Sequence, residues 1–446
     1  MDRKRIPDIF QSICVAAMLV LCAFTASAQT ERTIFHFNGT TTSGGPQGNL
    51  IADSAGNFYG TTWAGGSNNL GIVYEISPPA PPATTWTQTI LYNFNGPNGA
   101  QSTAGLAIDA AGNLYGTTVY GGNGPCTVVA VVIGCGVVFE LSPPAVLGGS
   151  WTESVLYNFQ YGSDSGAPRA ALIFDHAGNL YGTASGSGFD GTFNNGGSVF
   201  ELSPPALPGG SWTETTLFSF PLAVQGIWPF ARLAFDASGN LYGTAYAGGN
   251  SRCTGGTGGL GCGLVFQLAP PSLPGGNWTE TVLHAFAGGN SDGANPAGAV
   301  AINPSGTIVG TTSKGGSSAS GGTVFALRPP STSGGAWAYQ TIHAFGSAGD
   351  GADSRSDVTW GGGRSIYGTT TAGGSLNNGV VFEITPPASP GSPWTETILH
   401  DFLYSTTNHA DGAVPAGGVI IRDGELFGAT TQGGPNKAGT VYGIAP

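Results

Sequence analysis

Gly105-Leu106-Ala107-Ile108-Asp109-Ala110-Ala111-Gly112-Asn113-Leu114-Tyr115-Gly116-Thr117-Thr118 decides the fold of this 446-residue chain. An alternating apolar run leads into Asp-x-x-Gly, and a second run opens on Leu-Tyr. Asp at the first position and Gly at the fourth are what a type I turn closed by a left-handed glycine requires, so the stretch reads as a β-hairpin. It returns as Asp175-His176-Ala177-Gly178-Asn179-Leu180-Tyr181-Gly182-Thr183 and again from Asp236 to Thr244. The same turn opens on Asp53, on Asn303-Pro304 and, shortened, on Asp423-Gly424. These substitutions keep turn chemistry rather than charge, so the Asp series is read as structural.

Two markers count the copies. Gly-Thr, once Gly-Ala, ends the second run at Gly60, Gly116, Gly182, Gly243, Gly310, Gly368 and Gly428. A phenylalanine closes a Trp-Thr-Glu-Thr-like run at Phe37, Phe94, Phe159, Phe220, Phe286, Phe345 and Phe402. Both series give seven repeats. Each repeat holds four candidate strands, exemplified by residues 106–108, 114–118, 136–141 and 151–159, all apolar or β-branched runs bounded by Gly, Pro, Asn or Asp. Four-stranded units of this length, repeated seven times, predict an all-β fold, a seven-bladed β-propeller with four antiparallel strands per blade. The last repeat supplies only three strands, and residues 33–37 form an orphan outer strand, so the N-terminal strand is expected to close the last blade.

The chain resembles the GloVer tandem-repeat family of exported bacterial proteins. The residues that carry the resemblance are the Gly-Asn-Leu-Tyr-Gly-Thr cores at 112–118, 178–183 and 239–244, with weaker copies at 56–62 and 366–370. Gly-Val-Val-Phe-Glu at 136–140 and 379–383 and Trp-Thr-Glu-Thr at 212–215, 278–281 and 394–397 match as well. The resemblance implies export and transfers no catalytic residues.

Export is also read from the N-terminus. Arg3-Lys4-Arg5, a short apolar run and Ala26-Ser27-Ala28 form a signal-peptide pattern over residues 1–28, too short for a membrane span. Residues 29–446 are then one propeller domain, secreted to the periplasm or beyond. Cys126 with Cys135 and Cys253 with Cys262 share one spacing, and in an exported chain they read as two intraloop disulfides rather than a metal site.

Only 9% of residues are charged and the net charge is −12, which argues against nucleic acid or an anionic membrane as partner. His36, His284, His343 and His400 occupy a repeat slot that Tyr92, Tyr157 and Phe218 fill elsewhere; a flat ring with an occasional polar edge is expected there. The Trp-Thr-Glu carboxylates, Glu153, Glu214, Glu280 and Glu396, read as solvated strand edges. Gly256–Gly261 fits GxGxxG but precedes no helix, which removes the dinucleotide reading. Asp292, Asp350 and Asp411 open Asp-Gly-Ala connections; they are weak calcium candidates in a chain with no other cofactor expected.

With the first run of each hairpin nearest the axis, the Asp-x-x-Gly turns lie on one face. The longer loops after Gly-Thr-Thr and the Asp-Gly-Ala connections lie on the other. Variable loops on a rigid scaffold are where function collects. Trp63, Tyr120, Phe189, Trp228 and Tyr246 fall in these loops, and the expectation is a monomeric binding module for a neutral or cationic extracellular polymer, foremost a polysaccharide, with strongly anionic polymers rejected. A structural or display protein without ligand is the alternative, and a lyase or hydrolase ranks below both.

Overall fold

The computed structural model describes residues 30–39, 45–128, 132–146, 148–186, 196–207, 209–221, 226–250, 253, 260–273, 275–317, 320–332, 334–389, 391–405 and 409–445. Among them the regular structure is β throughout, apart from one short 3-10 turn at Gly362–Arg364. Seven antiparallel sheets form the blades of a propeller. Blade 3 is typical: Ile173–Phe174 innermost, then Leu180–Ala184, Ser198–Ser203 and Thr213–Ser219 outermost, each paired with the next. The innermost strand is often only two residues long because the chain turns away at the Asp-x-x-Gly hairpin.

The N-terminal strand, Thr30–His36, pairs antiparallel with Thr440–Ala445 from Thr30 opposite Ala445 to His36 opposite Thr440. It is therefore the outer strand of blade 7, and the ring closes with strands from both ends of the chain.

The core is not central. Seven apolar clusters fill the seven interfaces between neighbouring blades, each built from residues of two blades. The repeat markers are explained by these interfaces. Each marker phenylalanine is fully or almost fully buried and meets, edge-on or tilted, the aromatic ring of the next blade's third strand. Phe94 lies 5.3 Å from Phe139, Phe159 5.3 Å from Phe200 and Phe220 5.1 Å from Phe266. At the seam Phe37 lies 5.1 Å from Tyr74, so the closing interface repeats the others.

The Gly-Thr marker serves the same packing. A Cβ at Gly182 would fall 2.6 Å from Cζ of Phe200, so only glycine lets that ring lie flat over the second strand. The following threonine donates to the next blade: Thr61 Oγ1 to the Ala104 carbonyl at 2.7 Å and Thr117 Oγ1 to Ala170 at 3.0 Å, for example. The hairpin Asp is fully engaged. Asp109 Oδ1 accepts the Ala111 and Asn113 N–H groups, and Oδ2 accepts the Asn113 amide and the Tyr115 hydroxyl. The Asp-x-x-Gly-Asn-Leu-Tyr signature is therefore one hydrogen-bonded unit.

Candidate functional site

Both cysteine pairs are bonded, Cys126 to Cys135 and Cys253 to Cys262. They brace loops on the face opposite the hairpin turns, where the connections between blades also run. These connections pair with the loops after the second strand, as at Ala100 with Tyr120, Pro168 with Ala184 and Ile227 with Ala247.

The loop aromatics separate into two groups. Tyr120 is 4% exposed and packs with Ala100, Val119 and Ala167; half-buried Trp63 meets it edge-on at 6.2 Å. Trp228 and Tyr246 are half-buried and form a second group with Phe230, which is stacked 6.4 Å from Trp228 and 5.5 Å from Tyr246. Phe189 lies outside the described residues. The four described rings thus fall into two groups rather than one.

Phe230 of this group lines a cavity on the propeller axis, of about 290 Å³, whose lining comes from all seven blades; Trp228 and Tyr246 adjoin it through their contacts with that ring. The cavity wall is two tiers of equivalent positions. The upper tier holds Thr103, Arg169, Phe230, Ala297, Arg355 and Ala416. Two residues before each of these the backbone is left-handed, at Gln101, Ala167, Trp228, Asn295, Asp353 and Val414. Recurrence in six repeats makes this conformation a property of the fold rather than strain peculiar to Trp228.

The lower tier holds Asn49, Arg232 and Asp357, with small residues between them. Asp357 Oδ1 accepts the Ala299 N–H at 2.7 Å, and its Oδ2 accepts the Asn49 amide at 2.8 Å and Arg232 Nε at 3.3 Å. Asn49 Oδ1 in turn accepts the Gly418 N–H at 2.7 Å. Above this network Arg355 pairs with Asp353 at 3.0 Å, and the Arg169 guanidinium lies 5.7 Å from the Phe230 ring centre. Desolvation lowers the Arg169 pKa and the adjoining Tyr120 opposes that, while Asp353 raises that of Arg355.

Three of the chain's 13 cationic residues therefore line one cavity of a protein with net charge −12. None of Arg169, Phe230, Arg232, Arg355 and Asp357 was marked by sequence reasoning. The signal was present: in these two slots the repeats stop resembling one another, although the flanking slots remain alike.

Asp292, Asp350 and Asp411 lie at three different blade interfaces and are not brought together. Each carboxylate accepts two backbone N–H groups, from Ala287 and Gly293, from Gly346 and Gly351, and from Leu403 and Gly412. Three of the four histidines fit the packing expectation with a polar edge; His36 does not share the slot, which at Phe37 is filled by Phe35, edge-on to Phe37 at 5.3 Å. His284, His343 and His400 present a face edge-on to the marker phenylalanine two residues on, and each Nε2 reaches one of these aspartates.

The Trp-Thr-Glu carboxylates depart from the solvated-edge reading. They lie between blades, where Glu153 accepts the Asn98 amide at 2.6 Å. Glu280 stands where the opposing slot carries Phe218, and its Oε1 has no hydrogen-bond partner among the described residues. Burial pushes its carboxyl from 4.5 up to about 7. The unfolded chain then ionises first, so the folded protein holds the extra proton between those values and loses stability as pH rises through that window. Glu280→Gln should remove this slope and raise the melting temperature relative to wild type above pH 7. Superimposable pH profiles would refute it.

Among the described residues no helix is long and apolar enough to cross a membrane. A family model described as the Gloeobacter/Verrucomicrobia repeat matches residues 20–144 and 252–446. No curated protein matches the sequence. Solved structures with a similar fold include a gluconolactonase from Xanthomonas campestris, at 12% identity and TM-score 0.40, covering 76% of this chain and 86% of that one. A carbohydrate-active enzyme of family AA12 from Trichoderma reesei, in its calcium structure, has 12% identity and TM-score 0.45 over 94% and 96% of the two chains. PorZ, a surface component of the type-IX secretion system of Porphyromonas gingivalis, has 12% identity and TM-score 0.48 over 93% of this chain and 48% of its own.

Proposed function

The chain belongs to the Gloeobacter/Verrucomicrobia repeat family, and from that premise we propose that it is an exported propeller whose axial cavity binds the end of an extracellular polysaccharide. One observation carries this reading. Arg169, Arg355 and Phe230 line a single cavity on the axis, and the Trp228 and Tyr246 rings pack against Phe230. Aromatic faces offer flat apolar surface to sugar rings, and guanidinium groups bond hydroxyls and carboxylates. A volume of about 290 Å³ suits one sugar unit rather than a threaded chain.

The local charge selects within that class. Three arginines face Asp353 and Asp357, so the site favours a sugar carrying one carboxylate. A polymer charged at every unit would still meet the net charge of −12 over the rest of the protein. The cavity lining contains one carboxylate, Asp357, with both oxygens hydrogen-bonded. That does not supply the pair of carboxylates a glycosidase uses, and binding is preferred to hydrolysis. The structural reading is supported at Trp63 and Tyr120, whose rings pack into the loop face.

The repeats provide their own controls for the test. Ala167 occupies the slot of Trp228, and Ala297 and Ala416 occupy the slot of Arg355, so the fold accepts alanine at both places. Trp228→Ala and Arg355→Ala should each weaken binding of an acidic oligosaccharide about 10- to 100-fold with the melting temperature unchanged. Absence of binding to any glycan on an array, or unaltered affinity in both variants, would overturn the proposal.

A further inference from the structure

Blades 5, 6 and 7 share an arrangement of side chains at their interfaces that the other described interfaces have lost. At the first of these, His343 from the outer strand of blade 5, Asp350 from the following connection and Glu396 from the outer strand of blade 6 converge. His343 Nε2 lies 3.3 Å from Asp350 Oδ2 and 3.4 Å from Glu396 Oε2. The same three slots at the next interface carry His400, Asp411 and Glu31, with His400 Nε2 3.2 Å from Asp411 Oδ1. In each trio one ligand atom per residue lies within 4.8 Å of the others.

We propose that these trios bind a transition-metal dication of the zinc type, one between blades 5 and 6 and one between blades 6 and 7. The chemistry of the donors selects the ion. An imidazole nitrogen with two carboxylates suits zinc or a neighbouring transition metal, whereas calcium takes six to eight oxygens. The separations agree. Bonds of about 2.0–2.1 Å to a tetrahedral ion place neighbouring ligand atoms about 3.3–3.4 Å apart, which matches the distances from His343 Nε2 to the Asp350 and Glu396 oxygens of the first trio.

Each aspartate is held in place by two backbone N–H groups, which pre-organises the site without using the histidine. Glu396 Oε2 faces His343 Nε2 at 3.4 Å and its Oε1 is buried with no hydrogen-bond partner, so among the described residues this carboxylate engages only the trio. The interface between blades 4 and 5 is an internal contrast. There Tyr339 takes the glutamate slot and stacks on His284 at 3.8 Å, leaving His284 and Asp292 one ligand short.

The second site has a structural consequence. Glu31 belongs to the N-terminal strand that closes the ring, so an ion shared with His400 and Asp411 ties that strand to blade 6 as well as to its partner in blade 7.

The test uses the tag-free exported chain, dialysed against chelator and titrated calorimetrically with zinc chloride, with calcium chloride as comparator. About two equivalents of zinc should bind and raise the melting temperature, and calcium should do neither. His343→Ala and the near-isosteric Glu396→Gln should each remove one equivalent, and His400→Ala the other. In His400→Ala, zinc should no longer protect residues 30–36 from hydrogen exchange. Zinc stoichiometry unchanged in both His343→Ala and Glu396→Gln, or no zinc binding by the wild type, would overturn the proposal.

Discussion

A chain lacking residues 30–37 will lose most of its thermal stability, because the deletion removes the outer strand of blade 7 and opens the ring. Six residue pairs join this strand to Thr440–Ala445, and its removal exposes the edge of a strand buried at every position but the last. Phe37 goes with it. That ring is fully buried in the cluster joining blades 7 and 1, beside Tyr74, Phe58, Val441 and Phe427. Truncating one such phenylalanine to alanine costs about 3–5 kcal/mol by itself, and the exposed edge adds a surface for aggregation. Phe37→Ala should therefore reproduce a large part of the loss with the strand still present. A melting temperature within a degree or two of wild type for the deletion would count against closure by this strand.

Asp357→Ala will be the most costly single change on the axis, although it touches no apolar cluster. Its carboxylate joins Asn49 of blade 1, Arg232 of blade 4 and the Ala299 amide of blade 5, and through Asn49 it reaches Gly418 of blade 7. Removing it leaves three donors, one of them the Arg232 guanidinium, without their acceptor in a confined cavity. The Asp357 side chain is 16% exposed and Arg232 37%, so water relieves part of the penalty and the expected loss is about 2–4 kcal/mol. Asp357→Asn should lose nearly as much, since an amide turned toward Asn49 and Arg232 opposes donor to donor. Denaturant unfolding measures both variants, and a change below about 0.5 kcal/mol in each would show that blade packing alone sets the stability.

Much of the architecture was legible in the residues. The Asp-x-x-Gly-Asn-Leu-Tyr hairpin is a contact among residues at most six apart, Asp109 to Tyr115, so its chemistry is written in one short stretch. The orphan strand before Phe37 and the three-stranded last repeat together predicted a seam, and the register of Thr30–His36 with Thr440–Ala445 bears that out. The cysteine pairs, nine residues apart, needed only the expectation of export to be read as disulfides, and both are bonded.

The reasons for the markers were not legible. Gly182 yields to the Phe200 ring, and Phe94 is buried by Phe139 of the next blade. A single repeat shows that these residues recur and not what they touch.

The candidate site was the least visible part, for a physical reason. Repetition determines, from sequence alone, where the blades are, how many there are and how each turns back on itself, because those interactions are local and the copies reinforce one another. The axis is where single residues from distant copies meet, as Asn49 meets Asp357 across 308 positions of sequence. Neither residue belongs to a motif, and each stands in a slot where its repeat differs from the rest. Likewise the trio of His343, Asp350 and Glu396 exists only because outer strands of consecutive blades face each other. The sequence determined the scaffold; closure of the ring alone decided which of its irregular residues share a cavity and with what charge.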